Sequence, residues 1–171
     1  EAGKKIWIGA GRATEDRLII DACCRATQLT GAAAERDRAL AALRALIGIS
    51  PGAAFGFDFP FSLPAALMDE GSWADFAVQL ESRYPDADGF RYACREASGW
   101  RELKRETDRA MRTPFSPYNL RVYRQTYYGI RDLLAPLVRA SLASVVPMQP
   151  PRPDRALVLE VCPASVVKLG A

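Results

Sequence analysis

Apolar and polar positions change period several times along the chain, and each change marks an element. In "KKIWIGAG", residues 4–11, Ile6 and Ile8 alternate around Trp7 before Gly9 and Gly11 punctuate the run, which is the period of a strand. "DRLIIDACCRATQL", residues 16–29, reads as a second strand, paired to the first through the polar "RATED" turn. In "AAAERDRALAALRALIG" the period lengthens. Leu40, Leu43 and Ile47 with Ala39 and Leu46 form a helical stripe that Gly48 stops. "AAFGFDF", residues 53–59, is short, aromatic and bounded by prolines, as a buried strand is.

A long helical stretch follows. "SWADFAVQLES", residues 72–82, has Ser72 as its N-cap and Trp73, Phe76, Ala77 and Leu80 on one face. "DADGFRYACREA" and "GWRELKRETDRAM" are expected to be two further helices, the second ended by Pro114, with "TPFSPYN" as a loop. Residues 120–146 carry the longest helical pattern, kinked at Pro136. "PMQPPRP" is an exposed connector before a last apolar strand, 156–161, after which Pro163 opens a helix. The order predicts one α/β domain over residues 1–171, a mixed sheet with helices on both faces, and a helical insertion over about 65–150.

Composition narrows the chemistry. The chain has 171 residues and no histidine, which excludes Ser-His-Asp and Cys-His devices, His-ligated zinc and a His proton shuttle. Carboxylates, Lys, Tyr, a thiol or a metal-bound water are left. No apolar run approaches the ~20 residues of a membrane span. The four cysteines, at 23, 24, 94 and 162, form no C-x-x-C pair and read as free thiols in a reducing, cytoplasmic compartment. From Arg83 to Arg139 there are 12 Lys/Arg against 7 Asp/Glu, a balance of +5 within a net charge of +3. A basic middle segment suits a phosphate-bearing partner, and equally a solvated helix face.

Two acids share one context. Asp58 and Glu160 each lie in an apolar strand, are followed within three residues by Pro, and lead into a helical segment. In open α/β sheets functional groups gather outside the carboxyl ends of strands. If the two strands are neighbours, the carboxylates face one cleft, where Mg²⁺ or Mn²⁺ relieves their repulsion and activates water without a histidine. The structural alternative is that Asp58 caps a turn and Glu160 pairs with an arginine. Secondary candidates are Arg121 and Arg124, spaced i, i+3 on the long helix beside Gln125, Tyr127 and Tyr128, with Arg131 further along. Lys168, eight residues beyond Glu160, is placed to approach the same cleft, and Ser62 reads as a turn hydroxyl. No phosphate-binding glycine loop is present in the sequence.

"AGKKIWIG", "FGFDFPFSLP", "NLRVYRQTYYGIRDL" and "LEVCPASVVKLG", in this order and over nearly the whole chain, resemble the family known as domain of unknown function 429, described as predicted nucleases with an RNase H-like fold. The resemblance implies a mixed five-stranded sheet with metal-binding acids at strand ends, on which Asp58 and Glu160 fall. It also implies a further acid on a strand ahead of "AGKKIWIG", which this chain, starting at Glu1 rather than Met, is expected to lack. Glu106 and Asp108 in "RETD" are candidate substitutes. Three functions are carried forward. The first is an Mg²⁺-dependent nuclease with Asp58 and Glu160 as ligands and Arg121, Arg124 and Lys168 on the phosphate. The second is a non-catalytic RNase H-like binding or scaffold module. The third and weakest is a sugar- or nucleotide-phosphate enzyme on a related fold.

Overall fold

A computed structural model describes residues 2–69 and 71–163, and within these the chain is mixed α/β. It divides into two compact units, residues 1–49 and 50–171. The smaller unit holds β1 (Trp7–Ala13), β2 (Leu18–Arg25) and α1 (Arg36–Gly48). β1 and β2 pair antiparallel as the alternating pattern requires, closed by a turn in which the Thr14 amide donates to the Arg17 carbonyl at 2.8 Å. The register shifts between Ala10 and Gly11, where the Ile19 carbonyl comes so close that any side chain at 11 would collide with it. The α1 stripe is buried at Ala39, Leu40, Leu43 and Ile47, as its period predicts.

The larger unit holds β3 (Ala54–Phe57), α2 (Trp73–Arg83), α3 (Ala87–Ala97), α4 (Glu106–Ala110), α5 (Tyr123–Gly129), α6 (Ala135–Arg139), β4 (Ala143–Val146) and β5 (Ala156–Glu160). Its three strands are parallel, in the order β3-β5-β4. The expected single mixed sheet is thus two sheets among the described residues. The antiparallel pair needs only a tight turn, whereas the parallel strands are joined by long crossovers.

Local chemistry explains where the helices begin. The Ser72 hydroxyl accepts the Asp75 amide at 3.1 Å and the Asp86 carboxylate accepts the Gly89 amide at 2.7 Å, so each satisfies an orphan donor of the first turn of α2 or α3. Phe76 and Leu80 of α2 and Phe90 of α3 then turn inward with Tyr118, Tyr127 and Leu134, all at most 1% exposed. Tyr127 also donates from its hydroxyl to the Tyr84 carbonyl at 2.5 Å, which satisfies the one polar atom of a fully buried ring.

Two expected helices are shorter than their patterns. Residues 101–105 take no regular secondary structure, and helix resumes only at Glu106. Gly99 and Trp100 both take positive φ, 61° and 62°, which ends α3. The Leu103 amide then goes to the Tyr118 hydroxyl at 2.6 Å instead of to a helical carbonyl. The 120–146 pattern gives helix only from Tyr123 to Arg139, and its end is the strand β4. At Ile130–Leu134 the chain makes a π turn, the Ala135 amide donating to the Ile130 carbonyl. This widening lies just before Pro136, which has no amide to donate, at the place where the kink is expected. Gly129, at the head of the π turn, lies against the Phe59 ring so closely that a Cβ there would overlap it.

Candidate functional site

Parallel pairing of β3 with β5 brings the carboxyl ends of the two acid-bearing strands side by side, with Phe57 in register with Glu160. Successive residues of a strand face opposite ways, so Phe57 shares Glu160's face. Asp58 follows one residue later, at a bend, and is exposed. It makes no hydrogen bond or ion pair with another described residue.

Glu160 is engaged through both oxygens. Its Oε1 accepts from Arg105 Nη2 at 2.5 Å; its Oε2 accepts from Arg105 Nη1 at 2.7 Å and from the Phe61 amide at 2.9 Å. Arg105 grips a second carboxylate at the same time, donating from Nη2 to Asp108 Oδ1 at 2.7 Å and from Nε to Asp108 Oδ2 at 3.0 Å. The Arg105 amide adds a 3.0 Å bond to Asp108 Oδ2, which caps α4. A longer contact, 3.4 Å, reaches the Ser62 hydroxyl. The guanidinium is 9% exposed, Asp108 4% and Glu160 27%. Burial alone disfavours the guanidinium charge; the hydrogen bonds it donates to Glu160 and Asp108, with their negative charges, outweigh it and hold the Arg105 pKa above its ordinary value.

One arginine therefore ties the end of β5 to the head of α4 and, through the Phe61 amide, to the "FPFSLP" loop. The loop has further anchors: Trp73 Nε1 donates to the Phe61 carbonyl at 2.8 Å, and the rings of Phe57, Phe59 and Phe61 run in a tilted row at 6.0 and 5.0 Å. Of the two candidate substitute acids, Asp108 points inward to Arg105, while Glu106 is exposed. As placed, these side chains do not fit a bound Mg²⁺. A guanidinium already spans both oxygens of Glu160, and among the described residues no three His, Cys, Asp or Glu side chains gather.

Arg121 and Arg124 do not share a helix face, because α5 starts at Tyr123. Arg121 lies over the Phe115 ring at 5.4 Å. Arg124 lies over Tyr123 at 5.4 Å and donates from Nε to that residue's hydroxyl at 2.9 Å. The Tyr123 hydroxyl donates in turn to Asp88 at 2.5 Å, and Arg91 covers the ring at 5.6 Å. The Tyr123 bond, with Arg124 behind it, lowers the Asp88 pKa. Arg131 is held differently: it pairs with Asp132 at 2.5 Å and lies over Tyr127 and Tyr128 at 5.3 and 5.0 Å. Lys168 lies outside the described residues.

No family model, no curated protein and no solved structure matches this chain. Among the described residues no helix is long and apolar enough to cross a membrane.

Sequence reasoning missed Arg105, the residue that organises the site. Its signal was the i, i+3 spacing to Asp108 in "RETD", where an Asp three residues on caps the amide of the first residue and meets its side chain.

Proposed function

We propose that the chain is a non-catalytic binding module on an RNase H-like core, that Glu160 is a structural strut, and that the partner is single-stranded nucleic acid. The observation that carries the reading is the occupation of both Glu160 oxygens by Arg105 and the Phe61 amide. A carboxylate so committed adds rigidity to the strand end and keeps one lone pair, on Oε1, without a donor from the described residues. The nucleic-acid half rests on the excess of basic residues from Arg83 to Arg139 and on guanidiniums laid against rings, with Arg124 itself two-thirds exposed. An arginine laid on a part-exposed ring, as Arg121 is on Phe115, suits an unstacked base with its phosphate beside it.

The test is fluorescence anisotropy with a labelled single-stranded oligonucleotide over a range of salt. Replacing Arg121 and Arg124 by Ala is expected to weaken binding uniformly across sequences. It is also expected to flatten the dependence of log K on log salt by about 1.4, two phosphate contacts at ~0.7 each. An unchanged slope removes those arginines from the interface. Mg²⁺-dependent cleavage that disappears in Asp58→Asn with the fold retained would restore the hydrolase reading.

A further inference from the structure

The end of α3 presents an aromatic pair to solvent in a way the core does not require. Tyr92 is 56% and Trp100 54% exposed, and their rings meet edge to face at 5.5 Å. Trp100 takes φ 62° directly after Gly99 at 61°, a left-handed pair of residues that a bulky side chain adopts only at a cost. The conformation is held from several sides. The Trp100 amide donates to the Arg95 carbonyl at 2.6 Å and Arg95 Nη2 donates back to the Trp100 carbonyl at 3.2 Å. The Ser98 hydroxyl spans the Arg95 and Arg101 carbonyls at 2.9 and 2.7 Å.

Arg95 also lies over the indole at 5.5 Å, with its Nη1 4.0 Å from Glu102. Arg91 lies one helical turn before Arg95 on α3 and Arg101 directly follows Trp100, with Glu96 and Glu102 interspersed. Arg105 follows Trp100 by five residues, so the two Cα atoms are at most about 18 Å apart.

We propose that Trp100, with Tyr92 and Arg95, is a stacking platform for one base of a single-stranded nucleic acid whose backbone runs along the neighbouring arginines. The assignment rests on the nucleic-acid reading above and names the group within that polymer that this surface takes. An indole fixed in a rare backbone conformation is pre-organised for stacking, and a guanidinium at its side meets the phosphate that accompanies the base.

The experiment compares a decathymidylate with an abasic strand of equal length, so that phosphates are kept while bases are removed. Trp100→Asn keeps a residue that tolerates positive φ, and Trp100→Tyr keeps a ring. The platform predicts about tenfold weaker decathymidylate binding in Trp100→Asn, little change in Trp100→Tyr, and equal affinity of all three proteins for the abasic strand. Salt slopes stay the same throughout. Binding of decathymidylate by the wild type with no loss in Trp100→Asn overturns the platform alone. No binding by the wild type overturns the platform and the nucleic-acid reading together.

Discussion

Replacing Arg105 by Met tests the strut most severely. Met keeps an apolar stem but removes the charge that two carboxylates share. Taking away one partner of a buried pair costs about 3–5 kcal/mol, because the other charge stays behind uncompensated. Asp108, 4% exposed, is left in that position, while Glu160, at 27%, recovers part of its hydration. We therefore expect a loss near the lower end, about 3 kcal/mol. The assay is urea unfolding followed by circular dichroism at the helical band, to which the larger unit contributes most of the helices. The midpoint is expected to fall with the slope unchanged. A cycle with Glu160→Gln then isolates the pair. The amide still accepts the Phe61 N–H, so the double variant should lose about 1–3 kcal/mol less than the two single variants combined. A loss below about 1 kcal/mol for Arg105→Met, or strict additivity in the cycle, refutes the reasoning.

Three further outcomes follow from the packing and the electrostatics. Gly129→Ala forces the Phe59 ring to move and should cost about 1–3 kcal/mol, whereas in a Phe59→Ala background the same change should become neutral or favourable by up to ~1 kcal/mol through helix propensity. Ser72→Ala removes the cap of α2 and should lower stability by about 1 kcal/mol in chemical denaturation. Burial pushes the Cys94 thiol up to about 12 from an ordinary 9.0, against a small opposing pull from Arg83. Above pH 9 the unfolded chain therefore releases this proton while the folded chain keeps it. The stability of the wild type relative to Cys94→Ala should then decline as pH rises from about 9 toward 12, at up to ~1.4 kcal/mol per pH unit; a constant difference over that range contradicts it.

Local signals were legible wherever they were self-contained. The hairpin of β1 and β2, the stripe of α1, the Ser72 cap and the helix from Ala87 to Ala97 all follow from alternation, period and short-range capping. Non-local partners were not. Arg105 lies 55 positions from Glu160, and nothing in the spacing of "RETD" announces which strand its guanidinium will meet. The segment 101–105 reads as helix because its charges fall at helical intervals, but its backbone bonds go to Tyr118 and to Asp108 instead. β4 was hidden because "ASVV" is too short for period alone to separate strand from helix, and here tertiary pairing with β5 decides. The strands that carry the two acids are neighbours, with Glu160 the last residue of β5 and Asp58 one residue past the end of β3 rather than inside it. Their different fates, one exposed and one locked, depend on an arginine that the strand pattern does not contain.

The central claim is that Glu160 belongs to Arg105. Electron paramagnetic resonance of Mn²⁺ titrated into the protein tests it directly, since free and bound Mn²⁺ are distinguished without reference to any activity. The account predicts no Mn²⁺ binding that differs between the wild type, Glu160→Gln and Asp58→Asn. A bound signal in the wild type that either substitution abolishes would contradict it.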